Sequence, residues 1–285
     1  MDQYAVMGNP VAHSLSPVIH SEFARQTQQK LSYRAILVEP GRFESEVSAF
    51  FAQGGKGLNV TVPFKQEAWA LASRRSQDAE IAGAVNTLLL DDAGHLLGHN
   101  TDGIGLIRDI RDNLKATLQE KTVLILGAGG ATRGILLPML REKPVKIIVA
   151  NRTYSKAEAL IKAFARHGTL EARSLDDLED LKADWLINAT SASLQGELPD
   201  LPASLINSDS CCYDLMYSKR DSKKDSKKDS KGGSRQETPF CVWARQAGAG
   251  LVADGLGMLV EQAAESFYLW RGVRPETRPV ISSLR

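Results

Sequence analysis

Two α/β domains, the first on a mainly parallel sheet and the second doubly wound, are predicted by three features of the sequence. Short apolar runs alternate with helical patterns from Tyr4 to about Leu90. A glycine-rich turn at Gly127-Ala128-Gly129-Gly130-Ala131 follows directly on the buried run Val123-Leu124-Ile125-Leu126. The length of 285 residues fits about two domains of roughly 150 residues each.

In chain order, the first domain predicts a strand at 4–7, a helix over 16–28, a strand at 33–38, a helix over 43–53, a strand at 57–62 and a helix over 63–73. Strands alternating with helices imply parallel pairing with both faces covered. Ser16-Pro17 reads as an N-cap followed by proline in the first turn, where the missing N–H is harmless. The second domain predicts a strand at 123–126, a helix from the glycine turn to about 141 and a strand at 146–150, together a βαβ unit. Further strands at 184–189 and 210–215 extend that sheet, and the last strong helix covers 256–271.

A hydrophobic fraction of 43% and a charged fraction of 24% are those of an ordinary globular protein. The N-terminus lacks the basic and apolar regions of a signal peptide, and no apolar run reaches membrane-spanning length. A cytoplasmic protein is expected. Three cysteines, two of them adjacent at Cys211 and Cys212, form neither a disulfide framework nor zinc spacing; they read as small buried hydrophobes. Positive charge is concentrated in the Lys-Arg-Asp-Ser and Lys-Lys-Asp-Ser repeat at 219–230 rather than over a folded face, which excludes a nucleic-acid binder. That repeat has no apolar anchor and reads as a mobile surface loop. The histidines offer no metal spacing: His13 and His20 fall near 14–17, and His95 and His99 read as surface turn residues. No metal is expected.

Lys65 and Asp102 carry the chemistry. They sit in the polar motifs Asn59-Val60-Thr61-Val62-Pro63-Phe64-Lys65 and Asn100-Thr101-Asp102-Gly103. A lysine held by an aspartate can hand a proton to an oxygen where negative charge develops, as carbonyl reduction requires. Gly127-x-Gly129 after a strand and before a helix is the context in which this turn binds a pyrophosphate, because the backbone can approach closely and the helix N-terminus faces the charge. Thr132 stands where a third glycine or alanine is usual, which predicts slightly looser helix packing. Asn151-Arg152-Thr153 and Lys156 stand where an NAD enzyme would place a carboxylate, about 25 residues beyond Gly127. A guanidinium pairs with a 2′-phosphate, so NADP is predicted over NAD.

With these motifs in order, the chain resembles the shikimate dehydrogenase family over nearly its whole length. Also matching are Gly8-Asn9-Pro10, Ser14-Leu15-Ser16-Pro17, Gly83-Ala84-Val85-Asn86-Thr87, Asp254-Gly255-Leu256-Gly257-Met258 and Glu261-Gln262-Ala263. The resemblance implies an NADP-dependent oxidoreductase that reduces 3-dehydroshikimate reversibly to shikimate, in chorismate and aromatic amino acid biosynthesis. A quinate/shikimate enzyme of dual specificity is the alternative, and a non-catalytic NADP-binding regulator a more distant one. It implies that Ser14 and Ser16 bind the substrate carboxylate and that Asn59, Thr61, Lys65, Asn86, Asp102 and Gln262 surround the ring hydroxyls and reacting carbonyl, with Tyr217 on the substrate side. Taken singly, Ser16 could be only an N-cap, Asn86 and Asn100 turn residues, and Gln262 a polar position on a packed helix. For NADP(H) it implies Gly127, Ala128, Gly129, Gly130, Ala131, Asn151, Arg152, Thr153, Lys156, Thr190, Met216 and Gly255. It further implies a substrate-binding domain of residues 1–101 plus 256–285, a Rossmann-type nucleotide domain of 102–255 with a charged insert at 218–235, and a cleft between them. Partners are a small-molecule substrate, no nucleic acid and no membrane, with monomer and homodimer both open.

Overall fold

The computed structural model describes residues 1–190, 197–198, 200–217 and 237–285. The expected charged repeat at 219–230 lies outside the described residues. Two compact units are present: unit 1 is Met1–Lys115, Arg133–Pro138 and Met258–Leu284, and unit 2 is Ala116–Thr132 and Met139–Gly257 with the terminal residue. Asp102 and the helix it opens therefore lie in unit 1, whereas the sequence boundary at 101 assigned them to the nucleotide domain.

Unit 1 begins with β1 (Asp2–Gly8), α1 (Ser16–Gln26), β2 (Leu31–Leu37), α2 (Phe43–Ala52), β3 (Gly55–Val60) and α3 (Lys65–Leu71). There follow β4 (Arg74–Arg75), α4 (Gln77–Ala82), β5 (Thr87–Leu90), β6 (Leu96–His99) and α5 (Asp102–Arg108), which runs into a π-helical turn at Asp109–Asn113. The sheet order is β2-β1-β3-β5-β6-β4. β1 pairs in parallel with β2 and β3, and β4 with β6, but β5 runs antiparallel to both β3 and β6. The β5–β6 hairpin is the part of this sheet that the alternation of strands and helices does not predict. α1 buries Ser16, Ile19, His20, Phe23 and Ala24, the one-sided spacing of an amphipathic helix. The core over the other face gathers Met7, Phe43, Phe50, Leu58, Phe64 and Leu88.

Unit 2 carries β7 (Thr122–Leu126), α6 (Gly130–Arg141), β8 (Lys146–Asn151), α7 (Tyr154–Phe164), β9 (Leu170–Ser174), β10 (Trp185–Asn188), β11 (Cys211–Asp214), α8 (Pro239–Gln246) and β12 (Leu251–Asp254). The middle of α6 clusters with unit 1. All five strand pairings are parallel in the order β12-β11-β10-β7-β8-β9. The order reverses between β7 and β10, the switch point at whose carboxyl ends doubly wound sheets bind ligands. Every residue of β10 is buried, as is Val123 to Leu126 of β7; strands covered on both faces read as such apolar runs. α9 (Leu256–Arg271) and α10 (Arg278–Leu284) close the chain, and from Met258 they belong to unit 1.

Two local expectations change. Ser16 is the first residue of α1 and Leu15 occupies the cap position without a side-chain cap, while the Ser14 hydroxyl accepts the Ser16 N–H at 3.3 Å. Ser16 is thus left without the capping role. His99 is not a surface turn residue: it ends β6 opposite Thr87 and is half-buried. Burial lowers its pKa against the opposing pull of Glu265. Cys212 and Cys241 are buried, which pushes both thiols up to about 12; neutral thiols of this kind are inert.

Candidate active site

In unit 1 the site is assembled where β3, the start of α3, β5, the start of α5 and one face of α9 meet. The turn after β3 is anchored by Phe64, which is fully buried and stacked on Phe43 with ring centroids 5.0 Å apart. This fixes Lys65 at the head of α3. Asp102 opens α5 and is buried, its backbone N–H donating to Asn100 Oδ1 at 3.1 Å.

Lys65 Nζ donates to Asp102 Oδ2 at 2.6 Å, with 22% of the lysine and 9% of the aspartate side chain exposed. Asp102 Oδ1 accepts from Asn86 Nδ2 at 2.8 Å. Asn86 Nδ2 also reaches Thr101 Oγ1 at 2.9 Å and Gln262 Oε1 at 3.3 Å, and Asn86 Oδ1 accepts the Thr101 N–H at 2.9 Å. Asn86 is therefore no turn residue, and Gln262 faces the network from α9. Asn59 Nδ2 donates to Ser266 Oγ at 3.0 Å and to Thr87 Oγ1 at 3.2 Å, while Asn59 Oδ1 accepts from the Tyr33 hydroxyl at 2.8 Å. The pairing of Asn59 with Thr87 in the β3–β5 ladder brings these amides into one row. Thr61 is half-buried and its backbone N–H donates to the Met7 carbonyl at 2.9 Å. Ser14 is half-buried and Ser16 buried at the start of α1.

Thr87, Thr101, Ser266 and Tyr33 were absent from the expected set. Thr87 and Thr101 lie inside the quoted motifs beside Asn86 and Asp102, which was the available signal. Ser266 follows Gln262 by one helical turn and bonds to Thr87 Oγ1 at 2.8 Å; nothing in the local sequence marks it. His20, one turn beyond Ser16, is 1% exposed and stacked on Tyr33 with ring centroids 4.2 Å apart. Neither of its ring nitrogens meets a hydrogen-bond partner among the described residues. Burial lowers its pKa to about 3, with the Asn59 amide acting in the opposite direction.

In unit 2, β7 is followed directly by Gly127, whose φ of +101° favours glycine. An added Cβ there would also lie 3.2 Å from the Ala189 backbone. Thr132 is fully buried and its hydroxyl donates to the Gly127 carbonyl at 2.7 Å, closing the turn. The residue that departs from the glycine pattern thus supplies a bond that neither glycine nor alanine could make. Asn151 Oδ1 accepts the Ala128 N–H at 3.2 Å and braces the turn from the end of β8. Gly129 and Gly130 have open space where a Cβ would stand, at the N-terminus of the 12-residue α6. Exposed backbone amides at a helix start suit a pyrophosphate, so these residues fit the expected dinucleotide. Arg152, Thr153 and Lys156 are exposed just beyond β8, and Arg152 has no ion pair among the described residues. Thr190 follows β10, its hydroxyl bonded to Asn188 Oδ1 at 2.7 Å. The Gly255 N–H donates to the Met216 carbonyl at 2.9 Å, and a Cβ on Gly255 would fall 2.2 Å from the Leu215 carbonyl. Tyr217 is half-buried after β11.

Family models match three stretches: the shikimate dehydrogenase substrate binding domain over residues 6–88, shikimate/quinate 5-dehydrogenase over 109–195, and the shikimate 5′-dehydrogenase C-terminal domain over 255–285. The chain is 53% identical to the shikimate dehydrogenase (NADP(+)) of Alkalilimnicola ehrlichii over 100% of its own length and 98% of that protein's. Among solved structures it is similar to an Ael1 enzyme from Pseudomonas putida, with TM-score 0.88 and 45% identity over 100% and 98% of the two chains. It is also similar to the Thermus thermophilus shikimate 5-dehydrogenase in complex with NADP(H) and shikimate, with TM-score 0.82 and 30% identity over 99% and 98%. By matched domains, by identity over the full chain and by fold, this chain belongs to the shikimate dehydrogenase family.

Proposed function

We propose that this protein catalyses the reversible NADPH-dependent reduction of 3-dehydroshikimate to shikimate, the reaction of a dehydrogenase in aromatic amino acid biosynthesis. The observation that carries the reading is the 2.6 Å contact of Lys65 Nζ with Asp102 Oδ2, backed by Asn86, which bonds to Asp102 and in turn to Asn59 and Gln262. Unit 1 is the substrate side and unit 2 the nucleotide side. The NADP(+) specificity named for the Alkalilimnicola ehrlichii relative supports the cofactor assignment, as does Arg152 where a carboxylate would repel a 2′-phosphate.

Bound NADPH supplies the hydride to the substrate carbonyl carbon. Lys65 gives a proton from Nζ to the carbonyl oxygen as charge builds on it, and takes it back in the oxidative direction. Asp102 holds that ammonium in place. Its carboxylate is itself fixed at both oxygens, so little reorganisation is needed as the reaction proceeds. Ser14 and Ser16 take the substrate carboxylate, and Thr61 with the three amides reads the ring hydroxyls.

No helix among the described residues is long and apolar enough to cross a membrane; a cytoplasmic location follows from the biosynthetic role. Dual specificity is not favoured: the curated relatives of similar length are named for shikimate and NADP(+). The test is the initial rate of nicotinamide reduction with shikimate and with quinate, each with NADP⁺ and NAD⁺. Turnover confined to shikimate with NADP⁺ is expected. Comparable quinate turnover would revive the dual-specificity reading, and no turnover would overturn the proposal.

A further inference from the structure

The approach of α6 to the head of α5 within unit 1 is unusually close, and three glycines permit it. A Cβ on Gly103 would lie 2.3 Å from Pro138 Cγ and 2.7 Å from the Gly134 carbonyl oxygen, both on α6. A Cβ on Gly105 would lie 2.7 Å from Gln262 Cβ on α9. α5 is thus held between two helices and brings no side chain of its own to either contact. The third position, Gly134, points at the chemistry. A Cβ there would stand 3.1 Å from Asp102 Oδ2, 3.2 Å from Asn100 Nδ2 and 3.3 Å from Asn100 Oδ1.

Asp102 Oδ2 is the oxygen that meets Lys65, and Asn100 Oδ1 is the acceptor of the Asp102 N–H. Gly134 is therefore packed against the carboxylate oxygen itself and against the Asn100 amide that holds the Asp102 backbone. Nothing in the backbone demands glycine at this site, since its φ is not in the left-handed region. On helix propensity alone alanine would be the better residue. The position carries glycine at a point of α6 where the neighbour is the carboxylate of the proton-handling pair.

We propose that Gly134 is a positioning residue for the Lys65–Asp102 pair: its missing Cβ leaves Asp102 Oδ2 free to keep the position from which it meets the ammonium. The inference rests on the reading of that pair as the proton-transfer unit. Contacts of 3.1–3.3 Å require the neighbours to give by a few tenths of an ångström. The α6 backbone cannot shift cheaply while its Pro138 ring and Gly134 carbonyl are packed on Gly103, so the carboxylate and the Asn100 amide move instead. A misplacement of about 1 Å at a reacting centre costs on the order of 100-fold, and a smaller shift gives about 10-fold.

The experiment compares wild type with Gly134→Ala by steady-state kinetics in both directions, NADPH affinity by fluorescence, and thermal unfolding. Expected are a kcat about 10-fold lower, a shikimate KM and NADPH Kd within about 2-fold, and an unchanged or higher Tm. A general loosening of the fold would instead lower Tm and raise KM. Because Asn100 makes two of the three contacts, Asn100→Ala alone and with Gly134→Ala repeats the comparison should the single variant not fold; the double is expected to lose a further several-fold in kcat. Wild-type kcat in Gly134→Ala, or no added loss in the double, overturns the proposal. Should Lys65→Met itself keep full activity, the reading of the pair falls first, and that outcome is distinguishable from failure at Gly134.

Discussion

Asn86 Nδ2 donates to Asp102 Oδ1 at 2.8 Å, the oxygen that Lys65 leaves free. The Asp102 carboxylate is thereby gripped at both ends, by an ammonium on one side and a buried amide on the other. Hydrogen bonds to a charged group contribute about 1.5–3 kcal/mol. Asn86→Ala is expected to lower kcat by roughly 10- to 100-fold on that basis, with NADPH affinity unchanged. Transient kinetics that follow NADPH absorbance in a single turnover would check it.

Ser266 ties Asn59, Thr87 and Thr101 to α9, and it is fully buried. Ser266→Ala removes one partner from three polar groups and leaves them partly unsatisfied. A stability loss of about 1–3 kcal/mol follows, together with a several-fold higher KM for shikimate. Urea unfolding with the midpoint and slope fitted separately measures the first, and steady-state rates the second.

His20 stays neutral in the fold because burial lowers its pKa to about 3, against about 6.5 in the unfolded chain. Below pH 6.5 the unfolded chain takes up a proton that the folded chain refuses, so stability falls as pH drops from about 6.5 toward 3. The slope from this one group approaches 1.4 kcal/mol per pH unit. His20→Phe keeps a ring for stacking on Tyr33 and removes the titration. Its stability relative to wild type should therefore rise on going from pH 7 to pH 4.5; a constant difference across that range would show that His20 is not the group responsible.

Arg152→Asp puts a carboxylate where the 2′-phosphate is expected. A loss of roughly 100-fold in kcat/KM for NADP⁺ follows from replacing a charge-assisted pair by repulsion, with NAD⁺ turnover equal or improved. Equal loss with both nucleotides would assign Arg152 to the fold instead.

Much of this was legible in the sequence because the motifs are local. The glycine turn follows its strand without interruption, and Asn59 to Lys65 and Asn100 to Gly103 each carry their polar residues in one short stretch of chain. The hidden parts are long-range. Ser266 and Thr87 are 179 residues apart, and a serine on a helix rich in apolar residues looks like any packed position. The β5–β6 hairpin escaped because strands of four residues are too short to show a period, and so His99 read as a turn. Thr132 departs from the glycine pattern in the sequence, and only the fold places its hydroxyl on the Gly127 carbonyl, where it closes the turn.

Lys65→Met tests the central claim most directly, because it removes the ammonium and keeps the apolar stem. The measurement is kcat for shikimate oxidation beside the NADPH dissociation constant on the same preparation. Loss of about 100- to 10,000-fold in kcat, the range for a positioned general acid–base, with NADPH affinity retained, is predicted. A kcat within a few-fold of wild type would contradict the assignment of proton transfer to Lys65 and Asp102.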